Sequence, residues 1–178
     1  MANTRTSTSK GSNGARMKEM ETVDLGLKGD ALEGVISILT HTLSNVQVLY
    51  VKTLNVHWNI VDPNFYGIHI LLDEQYNALK EAGDQVAERI RSYGSPVIGS
   101  MSDFLAHTTL KEKKGAGMVE VAALHDLVAD HEAVIRQLRE DIDTCSDDYG
   151  DQGAADLLTA QLQAHQKMAW MLRASLPH

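Results

Sequence analysis

The sequence predicts an all-α protein built as a bundle of four long helices. Alanine, leucine, glutamine and glutamate dominate its middle part, and these residues favour helices. Apolar residues recur there at steps of three and four, which places them on one side of a helix. The chain of 178 residues has only three prolines and is long enough for one domain with a sizeable core.

The composition narrows the classes of function. The formal net charge of -8 argues against nucleic-acid binding by the general surface of the folded body, and it suits a protein that collects cations. Cys145 is the only cysteine, which excludes a disulfide framework and a cysteine zinc site and fits the cytoplasm. No apolar run reaches the roughly 18 residues of a membrane span, and the N-terminus has no apolar signal-peptide core. We therefore expect no membrane association.

Residues 1–29 are predicted to be a flexible tail, and residues 30–178 the folded domain. The tail is rich in serine, threonine, glycine and asparagine, so it cannot bury enough apolar surface to offset its ordering entropy. It carries the basic side chains Arg5, Lys10, Arg16 and Lys18, with no acid before Glu19. This pattern fits either a solubilising arm or a basic arm that contacts DNA phosphates.

The first helix is predicted to begin near Asp30, a suitable N-cap residue with Glu33 three positions later. Its apolar stripe comprises Leu32, Ile36, Leu39, Leu43, Val46, Tyr50 and Leu54. The next position on the stripe is His57, which we therefore expect to face inward. Asp62 and Pro63 then break the helix, because a residue before proline avoids helical geometry.

The second helix is predicted to run from about Asn64 to Tyr93 and to stop at Gly94. Its core stripe comprises Phe65, Ile68, Leu72, Tyr76, Leu79, Gly83, Val86 and Ile90. Gly83 costs about 1 kcal/mol relative to alanine inside a helix, which indicates a close approach by a neighbouring backbone.

A long segment separates the second helix from the third and is predicted to cross over the bundle, with a short helix around Ser102–His107. The third helix is predicted from about Met118 to Cys145, with His131 on its core face as a structural histidine. After an acidic turn, the fourth helix runs to about Ser175. A long central crossover distinguishes a ferritin-like bundle from a simple up-and-down bundle.

Five residues in and before the second helix could bind a transition metal: His57, His69, Asp73, Asp84 and Glu88. The last four form two pairs with a spacing of four residues, so each pair shares one helix face. Both pairs lie on a flank of the helix, about 100° from its core stripe. Mixed imidazole and carboxylate ligands suit Fe(II), Mn(II) or Zn(II) better than Ca²⁺ or Mg²⁺. The alternative is a solvated charged face without a metal.

One straight helix cannot bring the two pairs to one metal ion. Asp73 and Asp84 are separated by roughly 16 Å along the helix axis, whereas metal–ligand bonds are about 2.0–2.2 Å long. A second copy of the helix, antiparallel about a twofold axis, would place His69 and Asp73 opposite Asp84 and Glu88 of the partner. This geometry predicts two equivalent sites in each dimer.

Three segments match the signature of a known family: H-W-N at 57–59, F-Y-G-I-H-I-L-L-D at 65–73 and D-Q-V-A-E-R-I at 84–90. On these residues, and on the intervals between the candidate ligands, the chain resembles the Dps proteins, small ferritins for DNA protection during starvation. The resemblance extends over residues 30–176. It implies a hollow shell of twelve four-helix subunits with ferroxidase centres at the twofold interfaces.

In the pattern of that family, His57, His69 and Asp73 of one subunit bind Fe(II) together with Asp84 and Glu88 of its twofold mate. The resemblance implies iron as the metal, with a di-iron centre as one form of the site and zinc as a competing metal. The resemblance further implies hydrogen peroxide as the preferred oxidant and storage of ferric mineral in the cavity.

The resemblance also suggests roles for residues outside the ligand set. Trp58 corresponds to a tryptophan beside the ferroxidase centre, where it would donate an electron or simply pack. Acids near the start of the last helix line an iron-entry pore in the family, unless they form only a solvated turn; the candidates here are Asp147, Asp148, Asp151 and Asp156. No role is predicted for His41, His107 or His165.

Three classes of function follow from these observations. The first is an iron-oxidising, peroxide-consuming shell in the bacterial cytoplasm. The second is a DNA-compacting protein of the nucleoid that acts through its basic tails, for which we expect weak, salt-dependent binding. The third is a structural bundle with charged flanks. A full-size ferritin is disfavoured, because no Glu-x-x-His pair of the in-bundle di-iron type occurs.

Overall fold

A computed structural model describes residues 23–112 and 117–176 of the chain. The helices are α1 (Gly29–Asn59), α2 (Phe65–Ser92), α3 (Met101–His107), α4 (Ala123–Asp143) and α5 (Gln152–Ala174). A π-helical turn, Thr144–Asp148, extends the end of α4. The main packing pairs are α1 with α2 and α4 with α5, while α3 of the crossover lies against α1. The predicted four-helix bundle with a long crossover is confirmed.

The core is a column of aliphatic side chains between the four long helices. Its fully buried members include Leu39, Leu43 and Leu49 of α1, Ile68, Leu72, Leu79 and Ile90 of α2, Leu124, Leu127 and Leu138 of α4, and Leu158 of α5. By length and composition alone, α1 is apolar enough to cross a membrane. It packs against α2, α3 and α4, however, so in this fold it serves as a core helix.

The N-terminal ends of α1 and α4 differ from the predicted starts. Lys28, not Asp30, occupies the N-cap position of α1 and makes no side-chain capping bond, while Asp30 lies in the first turn. The predicted start of α4 at Met118 is wrong, because Val119 pairs with the end of α1 instead. The Val119 N–H donates to the Asn59 carbonyl at 2.9 Å, and the Val61 N–H donates to the Val119 carbonyl at 2.8 Å.

The crossover is fixed by polar contacts at two places. The Ser100 side chain caps α3 by accepting from the Asp103 N–H at 3.2 Å, which confirms the predicted short helix. Further along, Asn45 Oδ1 of α1 accepts from the Thr108 hydroxyl at 2.7 Å and from the Thr109 N–H at 3.0 Å. One buried amide of α1 thereby holds the end of α3 against the bundle.

Two members of the predicted α2 stripe behave differently from the expectation. The stripe predicts Phe65 in the core, but Phe65 is 44% exposed and its ring stacks with the His69 ring at 4.9 Å. Gly83 is indeed closely approached, although by a side chain and not by backbone. A Cβ at Gly83 would lie 2.7 Å from the Gln47 side-chain nitrogen of α1.

Candidate metal centre

Two candidate ligands meet where α1 ends and α2 begins. His57 lies in the last turn of α1 and His69 in the second turn of α2, and their rings stack with centroids 3.8 Å apart. The broken segment around Pro63 turns the chain back and brings the two rings together. His57 is only 7% exposed, which confirms the inward orientation predicted from its stripe.

The two histidines fix each other's proton positions. His57 Nδ1 lies 3.1 Å from the His69 carbonyl oxygen, and His69 Nδ1 lies 3.1 Å from the His57 carbonyl oxygen. Because a carbonyl oxygen only accepts, both Nδ1 atoms must be protonated donors. In the neutral rings the lone pairs then lie on Nε2, the arrangement that orients metal-binding histidines. Both rings therefore offer an Nε2 lone pair to a metal ion.

Asp73 lies one turn of α2 beyond His69 and makes two side-chain hydrogen bonds. Its Oδ1 accepts from the Tyr76 hydroxyl at 2.5 Å, and its Oδ2 accepts from the Asn77 side-chain amide at 3.3 Å. The hydrogen bond to Asp73, together with a smaller effect of burial, raises the pKa of Tyr76 and keeps its hydroxyl protonated. The sequence placed Tyr76 on the core stripe and did not indicate this contact.

The other two candidate ligands lie apart from the first three. Asp84 and Glu88 are exposed on the later turns of α2. Within residues 23–112 and 117–176, no three histidine, cysteine, aspartate or glutamate side chains converge closely enough to hold a metal ion. One chain thus brings His57 and His69 together with Asp73 nearby, and this incomplete set has the donor chemistry that Fe(II) or Zn(II) prefers.

Five large apolar side chains in the segments next to His57 and His69 are exposed, and together they are called the apolar patch here. They are Trp58, Val61, Phe65, Tyr66 and Ile70, and the Phe65 ring stacks with the His69 ring at 4.9 Å. Trp58 is 69% exposed and Tyr66 77% exposed, so neither ring is packed inside its own chain. Several exposed large apolar side chains in one part of a chain favour contact with another molecule.

The acidic turn before α5 divides into exposed and buried carboxylates. Asp147, Asp148 and Asp156 are exposed and stay candidates for a pore lining. Asp151 is only 6% exposed, which makes its predicted place in a pore wrong.

Asp151 instead caps α5 and ties it to α2. Its Oδ1 accepts from the Ala154 N–H at 2.9 Å and lies 3.4 Å from an Arg89 guanidinium nitrogen. Its Oδ2 accepts from the Tyr93 hydroxyl. All of these contacts hold the carboxylate inside the fold, where it cannot meet an entering cation.

A second histidine pair lies deep in the bundle between α4 and α5. His131 and His165 are fully buried, and their Nδ1 atoms are 2.9 Å apart, so one ring donates to the other. Burial lowers the pKa of both, that of His165 to about 4. The structural role predicted for His131 is confirmed, and His165 is its partner.

Comparisons with known proteins give a consistent result. The family model for the ferritin-like domain matches residues 36–177. An uncharacterized low temperature-induced protein of Nostoc sp. is 41% identical over 155 residues, 87% of each chain. The DNA protection during starvation protein of Agrobacterium fabrum is 34% identical over 152 residues, 83% of this chain and 91% of its own. The structure of Mycobacterium smegmatis Dps in its tetragonal form superposes with a TM-score of 0.82 at 28% identity, covering 90% of this chain and 96% of that one.

Proposed function

The chain belongs to the Dps family of ferritin-like proteins, and on this premise we propose that it is a ferroxidase that stores ferric mineral in a shell of twelve subunits. Fe(II) is its substrate, and hydrogen peroxide is the preferred oxidant. The observation that carries the proposal is the reciprocal hydrogen bonding of His57 and His69, which presents two Nε2 lone pairs beside the Asp73 carboxylate.

The reaction needs two chains. His57, His69 and Asp73 supply two nitrogens and a carboxylate, while Asp84 and Glu88 of a second copy complete the ligand set. The proposal is supported by the incomplete ligand set of one chain and by the exposed apolar patch beside it. An antiparallel partner would cover that patch and exclude water from the site.

Oxidation at such a site consumes Fe(II) and hydrogen peroxide, the two reactants that otherwise form hydroxyl radicals. Two Fe(II) ions give one electron each to one hydrogen peroxide molecule, which yields two Fe(III) ions and two hydroxide ions. No hydroxyl radical is released when both electrons arrive together, and DNA nearby is thereby protected. Trp58, exposed beside the histidines, would supply the second electron when one Fe(II) ion alone is bound.

The exposed acids of the turn before α5 are proposed to collect the substrate. Asp147, Asp148 and Asp156, repeated around a threefold axis of the shell, would form a ring of carboxylates. Such a ring in a low-dielectric wall concentrates cations and guides them inward.

The proposal is tested by iron oxidation in solution. Fe(II) is added anaerobically, then peroxide, and ferric absorbance is followed in the wild type and in a His69→Ala/Asp73→Ala variant. We expect rapid oxidation by the wild type and the uncatalysed rate in the variant. His107→Ala is the matched control, because this exposed histidine lies on α3, outside the ligand set. A wild type that oxidises Fe(II) no faster than buffer would refute the proposal.

DNA binding is the second candidate function, and the basic tail favours it. The predicted tail lies mostly within residues 1–22, which are outside the described residues. A shell whose chains each carry -8 repels DNA, so binding would depend on the tails and weaken with salt. A gel shift at low salt with the full chain and with a chain that starts at Met20 tests this role. Equal shifts for both would exclude the tail.

A further inference from the structure

Tyr76 contacts two of the three candidate ligands that one chain supplies. Its hydroxyl donates to Asp73 Oδ1 at 2.5 Å, and its ring meets the His57 ring edge-on, with centroids 5.1 Å apart at 73°. The ring of Tyr50 packs against Tyr76 in a similar edge-on contact at 6.3 Å. Tyr76 is half-buried, so these contacts restrict where its hydroxyl and its ring can lie.

The two carboxylate oxygens of Asp73 are bonded unequally. Oδ1 receives the short hydrogen bond from Tyr76, whereas Oδ2 receives a long one, 3.3 Å, from the exposed Asn77 amide. That amide also donates to the Asp73 backbone carbonyl at 2.8 Å, which is its better contact. A hydrogen bond to a carboxylate oxygen is strongest when it is short and direct. A metal ion that binds Oδ2 therefore displaces a weaker hydrogen bond than one that binds Oδ1.

We propose that Tyr76 is a positioning residue of the ferroxidase centre: it holds Asp73 Oδ1, so that Asp73 binds Fe(II) through Oδ2 alone. A carboxylate bound through one oxygen occupies one coordination position instead of two, which leaves room for peroxide at the iron. The ring of Tyr76 also limits the rotation of His57, so one side chain orients a carboxylate and an imidazole together. This inference rests on the proposed function of the site.

The test compares two tyrosines whose rings pack against each other edge-on. Tyr76→Phe removes the bond to Asp73 and keeps the ring, while Tyr50→Phe removes a neighbouring hydroxyl and keeps the Asp73 contact. Anaerobic Co(II) titrations, followed by visible absorption, report the affinity and the coordination number of the site. Removing such an orienting hydrogen bond typically lowers metal affinity by about tenfold. We expect this loss in Tyr76→Phe, with weaker absorption per bound Co(II) as Asp73 adds its second oxygen, and wild-type behaviour in Tyr50→Phe.

The outcomes separate the inference from the proposed function. If Tyr76→Phe binds Co(II) with wild-type affinity and spectrum, the inference is wrong while the function stands. If the wild type neither binds Co(II) nor accelerates Fe(II) oxidation, both are wrong. A crystal structure of wild-type shells loaded with Zn(II) gives an answer that does not depend on how any variant folds. Metal on Oδ2, with the Tyr76 hydroxyl on Oδ1, supports the inference, and a carboxylate bound through both oxygens overturns it.

Discussion

In each of His57 and His69, one backbone carbonyl determines which ring nitrogen is available to a metal ion. His57 and His69 each donate Nδ1–H to the other's carbonyl, so their tautomers are set before any metal arrives. The sequence predicted His69 as a ligand from its spacing and His57 from the family resemblance. It did not indicate this exchange of hydrogen bonds, because the exchange depends on how two helix ends meet. The same limit applies to Tyr76, which the stripe pattern counted as a core residue.

Gly34 lies so close to the Tyr149 ring that a larger residue there should lower stability. A Cβ at Gly34 of α1 would lie 2.3 Å from the ring of Tyr149, whereas a Cβ at Gly29 has no neighbour within 4 Å. Alanine gains about 1 kcal/mol of helix propensity at Gly34, inside α1, and less at Gly29, the first residue of the helix. At Gly34, however, overpacking against a ring costs about 1–3 kcal/mol. We expect Gly34→Ala to lower the midpoint of thermal unfolding and Gly29→Ala to leave it unchanged or raise it. Equal midpoints for the two variants would contradict this account of the Tyr149 contact.

The buried pair His131 and His165 predicts a loss of stability in acid. In the unfolded chain a histidine binds a proton near pH 6.5, whereas burial lowers the pKa of His165 to about 4 in the fold. The unfolded state therefore binds more protons between these values, and stability falls as the pH falls through this range. Burial raises the pKa of Asp141, which acts in the opposite direction, so a matched comparison is needed.

That comparison uses the double variant His131→Leu/His165→Leu. Its thermal midpoint should fall less between pH 7 and pH 5 than the midpoint of the wild type. His107→Leu, at an exposed histidine, should keep the full wild-type dependence. An identical pH dependence in all three proteins would show that the buried pair does not couple to folding.

At the scale of elements, helix periodicity predicted the cores and most ends of the helices, and long-range pairing decided the rest. The end of α2 just before Gly94 follows from local chemistry, since Gly94, the residue after the C-cap Tyr93, has a φ of 79° that suits glycine. The start of α4 does not, because Val119 is drawn into an extended pairing with Asn59 and Val61. The residues near Val119 in the sequence give no sign of this pairing, because its partners lie at the end of α1.

The contacts of Asp151 at the N-terminus of α5 were likewise not predicted from the local sequence, and they give a testable prediction. Asp151→Ala removes the cap of α5 and leaves the buried Tyr93 hydroxyl without its acceptor, which together cost about 1.5–5 kcal/mol. We expect a lower thermal midpoint for this variant. Asp156→Ala, at an exposed acid, should keep the midpoint and slow iron uptake instead. A variant of Asp151 that unfolds like the wild type would refute the capping role.

At the scale of the whole molecule, the proposed ligand set predicts that two variants, each inactive alone, regain iron oxidation when their chains form mixed dimers. A His69→Ala/Asp73→Ala chain still offers Asp84 and Glu88, and an Asp84→Ala/Glu88→Ala chain still offers the histidine side. In random mixtures half of the dimers are mixed, and each holds one intact site of two, so about a quarter of wild-type activity should return. Iron oxidation by co-expressed chains measures this recovery. A site contained within one chain would give none.

If the two ligand pairs of α2 serve two sites as proposed, the activity would also depend on the concentration of the chain. A newly made chain would carry every ligand without a complete centre, so it would be inert toward iron until it pairs with a second chain. At dilutions where pairs dissociate, the oxidation rate would fall with the square of the chain concentration. The separation of the two ligand pairs along α2 would thereby set when, after synthesis, iron oxidation begins.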